Sequence, residues 1–209
     1  MKIALVAQHA TPLRPRAGSG PDTDDIGLGD LTRRLADHGH QVTIYAQKQQ
    51  PDAPDRADLH NGVRVEHIDA GPVPTTPATA DEDDAGLLDR VPAFSGPLRS
   101  CWERERPDVV HALRWTSGLA ALAAARDQRI PVVQEFSSLR VTERRDQVRA
   151  ASADAARIRL EPAIGRSAAA VVATHSGEVS DLANLGVRRS SRTRWPVTRT
   201  PWWTGRPAS

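Results

Sequence analysis

Short apolar, partly β-branched runs alternate along this chain with segments in which apolar residues return every three or four positions. The first run, "KIALVA", fits a central strand of a parallel sheet, and it is followed by a Pro-, Gly- and Asp-rich stretch, "QHATPLRPRAGSGPDTDD". Ile26, Leu28, Leu31 and Leu35 then recur near helical spacing, with Asp24 or Asp25 as N-cap and Gly39 as the stop before the strand "QVTIYA". "GVRVEHI" reads as a further strand, and "AGPVPTTPATADEDDAG" as a polar surface loop. Leu87, Leu88, Val91, Phe94, Leu98 and Trp102 predict a helix reaching Arg104, kinked or broken at Pro92 and Pro97. "DVVHAL" and "IPVVQEF" are apolar enough for buried strands, and they flank the Ala-rich helix "SGLAALAAARDQ". A longer helical stretch is expected from about Glu143 to Arg166 with a kink at Pro162. It is followed by the strand "AAAVVAT" and a helix "GEVSDLANL" capped by Ser176 and closed by Gly186.

Strands alternating with helices predict an α/β fold, a mostly parallel sheet covered by helices on both faces. No internal repeat is present, and 209 residues suit one such domain with a proper core rather than two. The single cysteine, Cys101, cannot form an internal disulfide and reads, beside Trp102, as a small buried hydrophobe. The apolar run after Met1 stops at Gln8, short of a signal peptide, and no later segment has the apolar length of a membrane span, so a cytoplasmic protein is expected. Charge is uneven. The total is +2, but six arginines after Asp181 supply +6 with no acid among them, leaving −4 on the first 181 residues.

In sheets of this kind ligands bind beyond the carboxyl ends of the strands. The residues there are Gln8 and His9, His111, the stretch Glu135 to Ser138, and Thr174 to Ser176, and they should line one crevice. His111 could bind a sugar hydroxyl or a phosphate; it could equally be a satisfied histidine in a strand end. A nicotinamide-type dinucleotide fold requires G-x-G-x-x-G tight against the first strand. Gly18-Ser19-Gly20 lies about ten residues past that strand and Thr23 stands where the third glycine belongs, so that reading fails. Walker, zinc-spacing and G-x-S-x-G patterns are absent as well, and no metal or cofactor is implied.

Six phrases in order, "HATPL", "DLTRRLADHGHQVTIYA", "RPDVVHALRWTSGLAALAAA", "IPVVQEFSSL", "RIRLE" and "AAAVVATHSGEVSDLANLGV", make the chain resemble one family. It is similar to the N-terminal domain of retaining nucleotide-sugar glycosyltransferases of the two-Rossmann-domain type (group 1, subfamily 4-like), of the sucrose-phosphate-synthase-like and mycothiol-pathway kinds. The resemblance runs from Met1 to about Val187. It implies a Rossmann-like acceptor-side half over residues 1–187. A donor-side half would hold the nucleotide sugar, and a hexosyl group would move to a hydroxyl in the cleft between them. It also implies substrate-binding roles for His9, Gly20, His111, Ser137, Arg157 and Glu161; the catalytic residues are not identified.

The chain departs from the family's pattern at several places. Asp22-Thr23 stands where relatives carry a glycine pair near the donor phosphates, and a carboxylate beside a diphosphate is unfavourable by about 4 kcal/mol per charge pair at about 4 Å. Gly18 or Gly20 could take that role if the loop shifts. Leu113 replaces a second histidine and Ser137 a third, while Arg157 and Glu161 match an Arg-x-x-x-Glu pattern that also suits an i, i+4 helix pair. Residues 188–209, "RRSSRTRWPVTRTPWWTGRPAS", form a basic Trp/Arg tail in place of the start of a donor domain, as an altered reading frame near Ser191 would produce. The expectation is thus a glycosyltransferase-like protein, inactive alone, that takes a sugar or polyol-phosphate acceptor and meets a nucleotide sugar only where a donor domain is supplied. A non-catalytic acceptor-binding or partner-docking module is the first alternative. Nucleic-acid binding through the tail ranks last, because an acidic body disfavours approach to a polyanion.

Overall fold

Strand β1 (Lys2–Val6) takes the centre of the sheet because it is apolar on both faces, its last four residues being buried. A computed structural model describes residues 1–8, 23–59, 62–71, 84–136, 139 and 154–187. The chain continues through α1 (Thr23–Asp37), β2 (Gln41–Gln47), β3 (Arg56–Asp58) and β4 (Val63–Ile68). After α2 (Asp84–Arg104) come β5 (Val109–Leu113), α3 (Arg114–Ala125), β6 (Val132–Glu135), α4 (Asp154–Ser167), β7 (Ala170–Val172) and α5 (Ser176–Asn184). The strand order is β3-β4-β2-β1-β5-β6-β7, with every neighbouring pair parallel except β3 with β4. The Rossmann-like α/β expectation therefore holds. From β1 the chain first winds one way to β2, then returns to the other side of β1 for β5. The reversal leaves a crevice between the carboxyl ends of β1 and β5.

Alternation along the strands divides the core. Ala4, Val6, Val110, Ala112 and Val132 face α2 and α3, where Phe94, Leu98 and Trp102 are fully buried. Each such aromatic stabilises the fold by about 1.5–3 kcal/mol relative to exposure. Ile3, Leu5, Val42, Ile44, Val63 and Val65 face the other way, toward Leu28, Leu31 and Leu35 of α1. A third cluster, with Trp115 and Leu119 of α3, Phe136, Ile164 of α4 and Leu182 of α5, closes the β7 side.

Four expectations are corrected. Helix α2 does not break at Pro92 or Pro97: both lie on its exposed side, where water can serve the carbonyls the prolines leave unpaired, while Phe94, Leu98 and Trp102 hold the opposite side in the core. Helix α1 begins at Thr23, so Asp24 and Asp25 lie in its first turn rather than at the cap. His175, not Ser176, caps α5: its Nδ1 accepts from the Glu178 N–H at 3.1 Å. Cys101 is half-buried at the edge of the core, with Arg104 Nη2 3.2 Å from its sulfur, and burial pushes its thiol up. The edge strand β3 was not expected; the signal for it was Asn61-Gly62, a hairpin dipeptide, and Gly62 adopts φ +79°. Gly39 and Gly186, with φ of +78° and +74°, end their helices as expected. The tail 188–209 and the helical stretch before Asp154 lie outside the described residues.

Candidate functional site

The crevice is built where β5 passes directly into α3. Leu113 is extended, at φ −102° and ψ 127°, and the next residue, Arg114, already starts the helix at φ +69°. That left-handed conformation is costly for a residue with a Cβ, of order 1–3 kcal/mol, and it persists only where surroundings impose it. Leu113 supplies no side-chain cap to α3, and the first turn of the helix holds no acid. An uncapped helix start presents N–H groups and positive dipole potential, an arrangement suited to an anion.

Two contacts fix this turn. Ser117 Oγ accepts from the Gln8 N–H at 3.1 Å, tying α3 to the end of β1. From the other side Gln134 of β6 reaches under the helix, its Nε2 donating to the Arg114 carbonyl at 3.0 Å and to the Glu135 carbonyl at 2.7 Å. Gln8 and Gln134 are both buried, and the Oε1 of each has no hydrogen-bond partner among the described residues.

His111 stands on the opposite face of the sheet, the face of Val109 and Leu113. Its register partner on β6 is Val133, and two residues further along β6, on the same face, is Glu135. His111 Nε2 lies 3.0 Å from Glu135 Oε2, with 15% and 22% of the side chains exposed. The approach is close but not aligned as a hydrogen bond; the contact becomes an ion pair when the ring is protonated, and Nε2 is buried with no hydrogen-bond partner among the described residues.

The end of β7 carries its own cap. At the start of α5 the Glu178 carboxylate accepts from the Thr174 N–H at 2.7 Å and from the Thr174 hydroxyl at 2.9 Å, and His175 closes the cap. Arg157 Nε donates to Glu161 Oε1 at 2.7 Å within α4, and Glu161 is buried. Helix α4 packs on α3, and the pair takes the i, i+4 geometry. His9, Gly20 and Ser137 lie outside the described residues. No group of three or more metal-ligating side chains occurs among the described residues.

Sequence reasoning missed Gln134, Ser117 and Gly118. Signals for two of them were present. Gly118 interrupts an Ala-rich helix, where glycine costs about 1 kcal/mol against alanine unless packing requires it. Gln134 is an amide set directly after the apolar run "IPVV" that leads into β6.

A doubly wound, mostly parallel sheet with a polar crevice at its switch point is the architecture of a ligand-binding α/β domain. The Glycosyl transferase 4-like domain matches residues 27–198, and the chain belongs to that family. A D-inositol 3-phosphate glycosyltransferase of Thermobispora bispora is 32% identical over 146 residues, covering 66% of this chain and 32% of that protein. One of the same name from Streptomyces scabiei is 29% identical over 195 residues, covering 87% of this chain and 40% of its own. Among solved structures, sucrose-phosphate synthase of Thermosynechococcus elongatus superposes with a TM-score of 0.75 at 22% identity, over 88% of this chain and 44% of that one. That likeness establishes the fold. The chain spans about a third to two fifths of the length of these two sequence relatives. Among the described residues, no helix is long and apolar enough to cross a membrane.

Proposed function

We propose that these residues form the acceptor side of a sugar-transfer site, in which a hexosyl group passes from a nucleotide sugar to a hydroxyl of a phosphorylated polyol or sugar. The observation that carries this reading is the uncapped, acid-free start of α3 at the switch point of the sheet, three residues along the chain from His111. An acceptor phosphate fits at the first-turn N–H groups of α3, and an acceptor hydroxyl at the imidazole of His111. Glu135 stands against that ring, its Oε2 3.0 Å from the His111 Nε2. The relatives named as D-inositol 3-phosphate glycosyltransferases agree with a phosphorylated polyol as the acceptor class. The donor is held by a second domain that closes over the crevice. The bond from the anomeric carbon to the diphosphate oxygen breaks, a bond from that carbon to the acceptor oxygen forms, and the acceptor's proton passes to the departing diphosphate or to water. Closure keeps water from the activated sugar.

The test is thermal stability of the 209-residue chain with polyol phosphates, free polyols, nucleotide sugars and nucleoside diphosphates. A polyol phosphate at a hundred times its dissociation constant should add about 2.7 kcal/mol, and the free polyol much less. No shift with any phosphorylated polyol or sugar would overturn the reading. The 209 residues by themselves, which match about a third to two fifths of the length of these relatives, should bind the acceptor without turnover. Sugar transfer by this chain alone would show that the donor is held here as well.

A further inference from the structure

Three departures from local rules meet at one point. Arg114 is left-handed although it is not glycine, Gly118 sits inside a helix of alanines, and Gln134 buries a carboxamide oxygen with no hydrogen-bond partner among the described residues. Each alone disfavours the fold. One cause explains all three. A Cβ on Gly118 would overlap Gln134 Oε1 and come within 2.8 Å of Gln134 Cδ, so the helix has glycine where the carboxamide passes. The Nε2 of that carboxamide is committed to two backbone carbonyls, of Arg114 and Glu135, and both being acceptors sets which end of the amide is nitrogen. A leucine would fill the same volume without burying an unpaired acceptor, so the side chain is accounted for by what its nitrogen holds.

We propose that Gln134 is a positioning residue for the crevice. Its carboxamide latches the left-handed turn at Arg114, and so sets where the first turn of α3 stands relative to the His111–Glu135 pair on the other face of β5 and β6. The same nitrogen that holds the Arg114 carbonyl holds the Glu135 carbonyl, so one side chain fixes both halves of the site. The functional part of this inference rests on the acceptor-site reading above; the latch itself does not.

The test is Gln134→Leu, followed by NMR of the backbone carbons of Arg114 and the ring of His111. Arg114 should leave its left-handed shift values and the His111 ring signals should move, while the indole signals of Trp102 stay put. The dissociation constant for a polyol phosphate should rise about tenfold. A folded Gln134→Leu with unchanged Arg114 and His111 signals overturns the latch. Gln134→Glu keeps the shape but sets a carboxylate against two carbonyls. That repulsion and its burial raise the carboxyl's pKa above its unfolded value, so stability is retained at low pH and lost as pH rises through the raised value. Wild-type stability over the same range lacks that loss, and a Gln134→Glu profile parallel to wild type counts against the latch. Gly118→Ala should mimic Gln134→Leu, and should change little further in a Gln134→Ala background; additive effects overturn the shared cause. If wild type binds no polyol phosphate, the acceptor reading fails while the Arg114 signals and the Gly118 cycle still decide the latch.

Discussion

Helices α3 and α5 both begin at the carboxyl edge of the sheet, and they begin in opposite ways. The start of α5 is capped from within: His175 caps it through Nδ1, and Oε2 of the buried Glu178 in its first turn satisfies the Thr174 N–H and hydroxyl, while Glu178 Oε1 has no hydrogen-bond partner among the described residues. Glu178 also answers the positive end of the helix dipole with its own carboxylate. The start of α3 has no side-chain cap, no acid and a left-handed first residue. One end is capped by its own side chains, and the other is held from below by Ser117 and Gln134 with no side-chain cap and no acid in its first turn. Stability is gathered at the end of β7 and withheld at the end of β5, two strands away, the pattern expected where a ligand supplies the missing charge.

That contrast can be broken at either end. Glu178→Ala removes two hydrogen bonds to a buried carboxylate and should cost the most, about 2–3 kcal/mol in urea unfolding, with no change in ligand-induced stabilisation. His175→Ala removes an exposed cap and should cost about 1 kcal/mol by the same measure. His111→Ala should change stability least, within about 0.5 kcal/mol, yet lower affinity for a polyol phosphate by tenfold or more. If His111→Ala instead behaves like Glu178→Ala, costing stability and sparing the ligand, then His111 belongs to the finished end and the contrast collapses. Amide signals of residues 115–118 should move on adding the ligand and those of 176–179 should not, which locates the anion at α3.

Much of the architecture was legible because period and punctuation carry it. The apolar runs of β1, β2, β5 and β6 could be buried on both faces only in a parallel sheet, and Gly39 and Gly186 stop their helices at φ values that glycine alone adopts at no cost. His111 was found from its place beside an apolar run, and Glu135 lay in the stretch singled out after "PVV". Their pairing was not legible, because it depends on β6 lying next to β5 with Val133 opposite His111. The prolines of α2 misled for a related reason. A proline weakens a helix locally, but whether the helix breaks depends on which side faces water, and Phe94, Leu98 and Trp102 settled that through the core.

By itself, then, the sequence determined the alternation of strands and helices, the family, and the strand ends at which chemistry would sit, because hydrophobic period, turn glycines and residue order are properties of the chain. Tertiary structure alone decided which of those ends stays open. The left-handed Arg114, the glycine at 118 and the buried amide at 134 are separated by up to twenty positions, and only the packing of α3 across β6 brings them into one contact. Local propensity opposes each of the three, and the energy that overrides it comes from neighbours distant in the chain.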